Sequence, residues 1–238
     1  EAELQKVDNS LSPFNKTSII SRVNRNEKVK VDEMFSEVFQ LAEKISGDTD
    51  GAFDITVAPM VNAWGFGFKT GNPPTRQTID SLRAIVGFHT VSLQDGYVIK
   101  KNPKTMLDCS AIAKGYGTDV VARFLKKKGV QNFMVEIGGE IVVNGNSEKL
   151  QPWRIGINKP TDDSLNTSQA IQDVVSVSNI AMATSGNYRN FYYKNGKKYA
   201  HTIDPKTGYP VQHNILSATV FADDCATADA YATSFMVL

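Results

Sequence analysis

Phe133-Met134-Val135-Glu136-Ile137-Gly138-Gly139-Glu140-Ile141-Val142-Val143 decides the fold class of this chain. Phe133 to Ile137 and Ile141 to Val143 read as short strands, and Gly138-Gly139 separates them. Upstream, Ser110 to Lys128 has helical pattern, with Ser110 as cap and Gly129 as stop. Lys126, Lys127 and Lys128 fill its last turn, where cations complement the helix dipole. Downstream, Trp153 to Ile157 and Val174 to Ser178 read as strands, and the polar segment 158–169 between them as a surface loop. Asn195-Gly196 marks a hairpin between Phe191-Tyr192-Tyr193 and Tyr199-Ala200-His201. Leu216 to Ala222 is a further strand, and Asp223 or Asp224 opens a final helix.

The N-terminal half adds helices. Ser18 to Asn24 fits a short helical turn. Asp32 caps a helix over about 32–46, with Phe35, Val38, Phe39, Ala42 and Ile45 as one apolar stripe and Gly47 as its stop. Residues 51–62 lack helical period and carry Pro59, so they read as a strand or extended loop. Thr75 to Ala84 is a short helix capped by Thr75 or Thr78. Val91-Ser92-Leu93 and Tyr97-Val98-Ile99 flank a turn at Gln94-Asp95-Gly96. Strands outnumber helices and hairpins recur, which predicts an α+β fold with mainly antiparallel sheet and packed helices, a single domain over 1–238.

Composition narrows the function. At 238 residues the chain can bury a large core without a disulfide framework. Lys and Arg number 26 against 25 Asp and Glu, so no charge excess points to nucleic acid or an anionic membrane. No apolar run is long enough to span a bilayer. Cys109 and Cys225 are too few for a zinc site and form no C-x-x-C pair. They read as two buried thiols, or as a bridge if the compartment oxidises them. The chain starts at Glu1 and stops at Met236-Val237-Leu238 within a helical pattern, which reads as a core trimmed at both ends.

Four clusters place polar residues and glycine among apolar segments. In Gly51-Ala52-Phe53-Asp54-Ile55-Thr56-Val57-Ala58-Pro59, Asp54 needs hydrogen-bond partners. Either it binds turn amides, or it holds a ligand's hydroxyl or amide. Leu107-Asp108-Cys109-Ser110-Ala111-Ile112-Ala113-Lys114-Gly115-Tyr116-Gly117 joins an acid, a helix start and a lysine. Helix N-termini favour phosphate, and Lys114 in the first turn opposes the dipole unless an anion lies nearby. The third cluster runs Ala183-Thr184-Ser185-Gly186-Asn187-Tyr188-Arg189-Asn190 and then Tyr199-Ala200-His201-Thr202-Ile203-Asp204-Pro205-Lys206-Thr207-Gly208-Tyr209-Pro210. His201 sits between a strand and a turn, a place for functional side chains, although a lone histidine is more often structural. In the fourth, Asp223 to Thr233, Asp229 and Thr233 share a helix face. Their oxygens suit a hard cation such as Mg²⁺, and the alanines around them leave room for a ligand. The alternative is a buried polar pair.

These stretches, in order, resemble the ApbE family of FAD:protein FMN transferases. The resemblance rests on Ala52-Phe53-Asp54 with Trp64-Gly65-Phe66-Gly67, on Asp108 through Gly115 and on Glu136-Ile137-Gly138-Gly139-Glu140. It continues through Ala183 to Arg189, His201 to Pro210 and Ala228 to Thr233. Leu11-Ser12-x-Phe14 is similar to the family's N-terminal flavin-side loop. At its ends the chain departs from the family, whose members usually have a strand before the Leu11 region and a longer last helix.

The resemblance implies a T-fold-like architecture with FAD, the substrate, in a deep cleft. It puts Mg²⁺ on Asp229, Thr233 and main-chain oxygen at Ala111 and Ala232. It puts FAD contacts on Leu11, Ala52, Phe53, Asp54, Asp108, Lys114 and Ile203, and the catalytic base at His201. The implied reaction moves FMN from FAD to a Ser or Thr hydroxyl of an acceptor protein, typically a subunit of a membrane redox pump, and releases AMP. The implied setting is the periplasmic face of a bacterial membrane, as a lipoprotein, with cytoplasmic members also known. Two other readings stand beside it: an FAD pyrophosphatase with water as acceptor, and a non-catalytic FAD-binding module.

Overall fold

Gly138 and Gly139 form a two-residue hairpin loop: φ is 68° and 102°, and Ile137 pairs with Glu140 across it. Two successive positive-φ residues match the twist of an antiparallel hairpin, which is why glycine occupies both. The computed structural model describes residues 1–67, 73–160, 170–188, 191–194 and 196–238.

Among these, the helices are α1 (Ala2–Leu11), α2 (Ile19–Asn24), α3 (Glu33–Asp48), α4 (Ala58–Ala63), α5 (Arg76–Arg83), α6 (Ala113–Lys127) and α7 (Cys225–Phe235). The strands are β1 (Val91–Gln94), β2 (Tyr97–Lys100), β3 (Phe133–Ile137), β4 (Glu140–Asn144), β5 (Trp153–Asn158), β6 (Ile171–Val177), β7 (Ile180–Gly186), β8 (Phe191–Lys194), β9 (Lys197–Ala200) and β10 (Ser217–Ala222).

The main sheet has the order β10-β7-β4-β3 and is antiparallel throughout. Alternate residues serve two cores, as strand pleating requires. Phe133, Val135, Val142 and Ala181 pack with Ala122 of α6 and Cys225 of α7. Ile141, Val143 and Met182 pack with Ile155 of the β5–β6 ribbon. The sheet is thus covered by helices on one face and by a β-ribbon on the other. A third core joins α1, α2, α3 and the β1–β2 hairpin to α6 and α7. The α+β, mainly antiparallel class expected from the sequence is the one observed.

Several expected boundaries move, each for a local reason. The helix expected to stop at Gly47 runs to Asp48. It ends in paired bonds, Gly51 N–H to Ser46 O (2.7 Å) and Asp50 N–H to Gly47 O (3.2 Å), with positive φ at Asp50 and Gly51. That is a Schellman end whose left-handed C′ residue is Asp50, with Gly51 following it. The helix expected from Ser110 begins at Ala113, with no side-chain cap. Asp108 Oδ1 accepts from Ser110 N–H (2.8 Å), closing a tight turn before the helix can start. Residues 51–62 are turns followed by α4 rather than a strand. Pro59 lies in the first turn of α4, where its missing N–H costs nothing.

Two elements escape the sequence reading: α1 and β7. α7 ends at Phe235, before Met236-Val237-Leu238. Most of the polar segment 158–169 lies outside the described residues, as do Arg189, Asn190 and the Asn195 half of the Asn195-Gly196 turn. Both cysteines are buried and unbridged. Burial raises the pKa of each thiol, which fits the reading of inert buried side chains.

Candidate active site

A cavity of about 870 Å³ opens between α1, the 52–57 segment, the start of α6, the β3–β4 turn and α7. It is lined by Leu11, Ala52, Phe53, Asp54, Asp108, Ala111, Lys114, His201, Ile203, Asp229 and Thr233. The sequence reading named all of these. Ala232 is fully buried and is not among the lining residues. The cavity is at the large end for small-ligand sites, as a dinucleotide would need.

The α6–α7 junction brings the charged part of the site together. The helices meet backbone to backbone at Gly115, where an added Cβ would sit 2.3 Å from Cys225 O. Gly115 N–H, one of the donors a helix start leaves unpaired, gives its hydrogen to Asp229 Oδ2 (3.1 Å). In return, Asp119 of α6 accepts from Cys225 N–H (2.9 Å) and Ala226 N–H (2.9 Å) at the start of α7. Each helix therefore receives a carboxylate from the other. Burial pushes the pKa of Asp119 up to about 6. Burial also pushes Asp229 up to about 7, with Glu140 raising it further while Lys114 and the Gly115 amide pull it down.

Lys114 does oppose the dipole of α6, and the nearby anion is within the protein. Its ammonium pairs with Glu140 Oε1. Glu140 opens β4 directly after the Gly-Gly turn, is 2% exposed and lines the cavity. The sequence reading gave it no role. The signal was available, because a carboxylate beside Ile141-Val142-Val143 needs partners as much as Asp54 does.

Asp54 serves the protein with both oxygens. Oδ1 accepts from Thr56 N–H (2.8 Å) and Thr56 Oγ1–H (2.6 Å), and Oδ2 accepts from Phe88 N–H (2.7 Å). Its amide-binding reading is thus realised, and Asp54 also lines the cavity, where the ligand reading places it. Asp108 ties the segment before α6 to the 52–57 segment through its N–H to Ile55 O (2.7 Å).

His201 stands at the end of a row of aromatic rings. Its ring meets Phe66 edge-on at 6.5 Å. Phe66 stacks on Tyr192 (5.2 Å), Tyr192 on Tyr199 (5.3 Å) and Tyr199 on Trp64 (5.5 Å). The Trp64 indole N–H donates to Gly208 O (2.7 Å). This holds the turn from Asp204 to Tyr209 against α4 and leaves His201 half-buried at the cavity wall.

The donors suit a hard cation. Asp229 and Thr233 offer a carboxylate and a hydroxyl one helical turn apart. Thr233 Oγ1 is fixed by Ser185 Oγ at 3.0 Å. Ala111, in the turn before α6, lines the same cavity. Among the described residues no group of three or more His, Cys, Asp or Glu forms a metal cluster. One carboxylate plus neutral oxygens is a Mg²⁺-type set, which normally takes further ligands from water and substrate phosphate.

Fold and cavity together define an α+β domain that places a lysine and an oxygen-donor set suited to a hard cation around one cavity. The sequence model of the ApbE family matches residues 1–238. A FAD:protein FMN transferase of Vibrio cholerae is 39% identical over 240 residues, covering 99% of this chain and 71% of that protein. One from Haemophilus influenzae is 40% identical, covering 100% and 71%. The solved flavin transferase ApbE from Vibrio cholerae superposes with a TM-score of 0.88 over 99% of this chain and 75% of that one. The apo flavinyl transferase ApbE of Pseudomonas stutzeri, 33% identical, gives 0.87 over 99% and 73%. The chain belongs to the ApbE family.

Proposed function

We propose that this chain binds FAD in the α6–α7 cavity and transfers its FMN half to a Ser or Thr hydroxyl of an acceptor protein, releasing AMP. The observation that carries the reading is that Asp229 and Thr233 of α7 line the same cavity as Ala111 and Lys114 at the start of α6. The names of the similar proteins agree with it.

Lys114, in the first turn of α6, faces the pyrophosphate. Asp229, Thr233 and the Ala111 carbonyl would hold Mg²⁺. When bound, the ion supplies charge neutralisation at the phosphate oxygens and alignment of the bond to be broken. Leu11, Ala52, Phe53 and Ile203 give apolar walls to the flavin dinucleotide. His201 takes the proton from the acceptor hydroxyl as its oxygen bonds to the FMN phosphorus. The bond from that phosphorus to the bridging oxygen breaks, and AMP leaves with that oxygen. The product is an FMN phosphodiester, and no electron is transferred.

On the same reading the acceptor is a subunit of a membrane redox pump, and the enzyme is a lipoprotein at the periplasmic face of a bacterial membrane. The family resemblance is the support for both. No helix among the described residues is long and apolar enough to cross a membrane.

The test is incubation with FAD and Mg²⁺, with and without an acceptor protein, following AMP and the acceptor's mass. The proposal expects acceptor-dependent AMP and an equal amount of FMN adduct. AMP released at full rate without acceptor would make the chain a pyrophosphatase. FAD bound but intact with every divalent ion would make it a binding module.

A further inference from the structure

Glu140 is the most deeply buried carboxylate of the cavity wall, at 2% exposure, and only half of it is used. Oε1 pairs with Lys114. Oε2 is buried and has no hydrogen-bond partner among the described residues. It lies next to Gly138, where an added Cβ would come within 3.2 Å of it. Both residues line the cavity. Leaving a buried acceptor unmade costs roughly 1–3 kcal/mol, and more for a charged group. Protonation does not remove the cost, since the new O–H would then lack an acceptor. Asp229, at 3% exposure, lines the same cavity, so the Lys114 pair alone leaves a charge deficit. Two buried carboxylates share one half-exposed ammonium.

A hydrated divalent ion answers both needs. It brings two positive charges, and its water ligands bring hydrogen-bond donors, the group that Oε2 lacks. We propose that Glu140 is a positioning residue for the cation site. Its Oε2 accepts a hydrogen bond from a water of the divalent ion held by Asp229 and Thr233, while Oε1 keeps Lys114 beside the same site. This rests on the metal reading of Asp229 given above. It adds a residue from the β3–β4 turn to a site otherwise built from α6 and α7, and gives that turn a part in chemistry as well as in folding.

Direct Mn²⁺ binding, read from the loss of the free-ion electron paramagnetic resonance signal, tests it without turnover. The full chain is titrated with Mn²⁺ alone and with FAD present. Glu140→Gln is expected to weaken Mn²⁺ binding by roughly 10–100-fold, the usual cost of losing an outer-shell partner. Lys114→Met is expected to leave the affinity for Mn²⁺ alone, without FAD, unchanged or tighter, since it removes a competing cation. Metal-free melting curves establish that each variant is folded. If Glu140→Gln does not fold, Glu140→Asp keeps the charge, draws it back by one methylene and is expected to weaken binding by several-fold. Wild-type affinity in the folded Glu140 variant, with binding lost in Asp229→Asn, would overturn the role of Glu140 and leave the metal reading standing. Equal weakening in Lys114→Met would show that Glu140 acts only through Lys114, which also overturns it. Unchanged binding in Asp229→Asn would overturn both the metal reading and this one.

Discussion

His201 sits where β9 runs into the Asp204–Tyr209 turn, with Phe66 against its ring edge. An imidazole there can serve as base without contributing much to binding. Replacing it by alanine is expected to leave FAD affinity within about twofold and to slow transfer by roughly 10²–10⁴-fold, the usual worth of a general base. Fluorescence titration and single-turnover transfer check the two halves separately. Asp229 makes a different prediction. Its pKa is raised to about 7 by burial, and the ion needs it ionised. Each pH unit below about 7 should therefore weaken Mg²⁺ binding about tenfold, one proton being displaced per ion bound. Calorimetric titration between pH 5 and 8, on the order of the range this requires, measures the slope. At this scale the sequence was informative wherever a charge broke local rules. Asp54 and Asp229 stood in apolar surroundings, and Lys114 stood at the wrong end of a helix. Glu140 broke the same rule, but it entered only within the Glu136-to-Glu140 stretch that carries the family resemblance, and its partner is 26 residues away.

The elements that matter most are α6 and α7. Their contact at Gly115 leaves no room for a side chain, since the obstacles are the Cys225 carbonyl and, at 2.9 Å, Ala226 Cα. Gly115→Ala should cost about 1–3 kcal/mol by overpacking and should move Asp229 relative to Ala111. Urea unfolding measures the first effect and Mg²⁺ affinity the second. Asp119 holds the start of α7, so Asp119→Ala leaves two buried amides without acceptors and should cost about 1–3 kcal/mol. The pH dependence has a definite sign. The folded pKa, about 6, lies above the ordinary carboxylate value of 3.8. The folded chain therefore holds more protons across that window. The Asp119 contribution to metal-free stability is largest at the acid end and falls as pH rises from about 4 to 6. Unfolding series over that window should show this fall in the wild type and a shallower one in Asp119→Ala. The start of α6 was misplaced in sequence because a serine after an acid looks like a cap, while the Asp108 carboxylate takes that serine's amide first.

At the scale of the molecule, hairpin signals were enough to fix the class. Gly138-Gly139 and Gln94-Asp95-Gly96 both turn where expected. The order of the sheet was not legible, because one of its two interior strands, β7, reads Ile180-Ala181-Met182-Ala183-Thr184-Ser185-Gly186. Alanine and glycine are poor strand formers in isolation. They are accommodated there because Ala181 and Ala183 are fully buried between neighbouring elements. The architecture places the ends of α6, α7 and the β3–β4 turn around one cavity, and the proposed chemistry depends on that convergence.

The most direct measurement is intact-mass spectrometry of an acceptor protein incubated with FAD, Mg²⁺ and either the wild-type chain or Asp229→Ala. The account predicts an FMN adduct on a Ser or Thr with the wild type and none with the variant. An adduct formed at the wild-type rate by Asp229→Ala would contradict it.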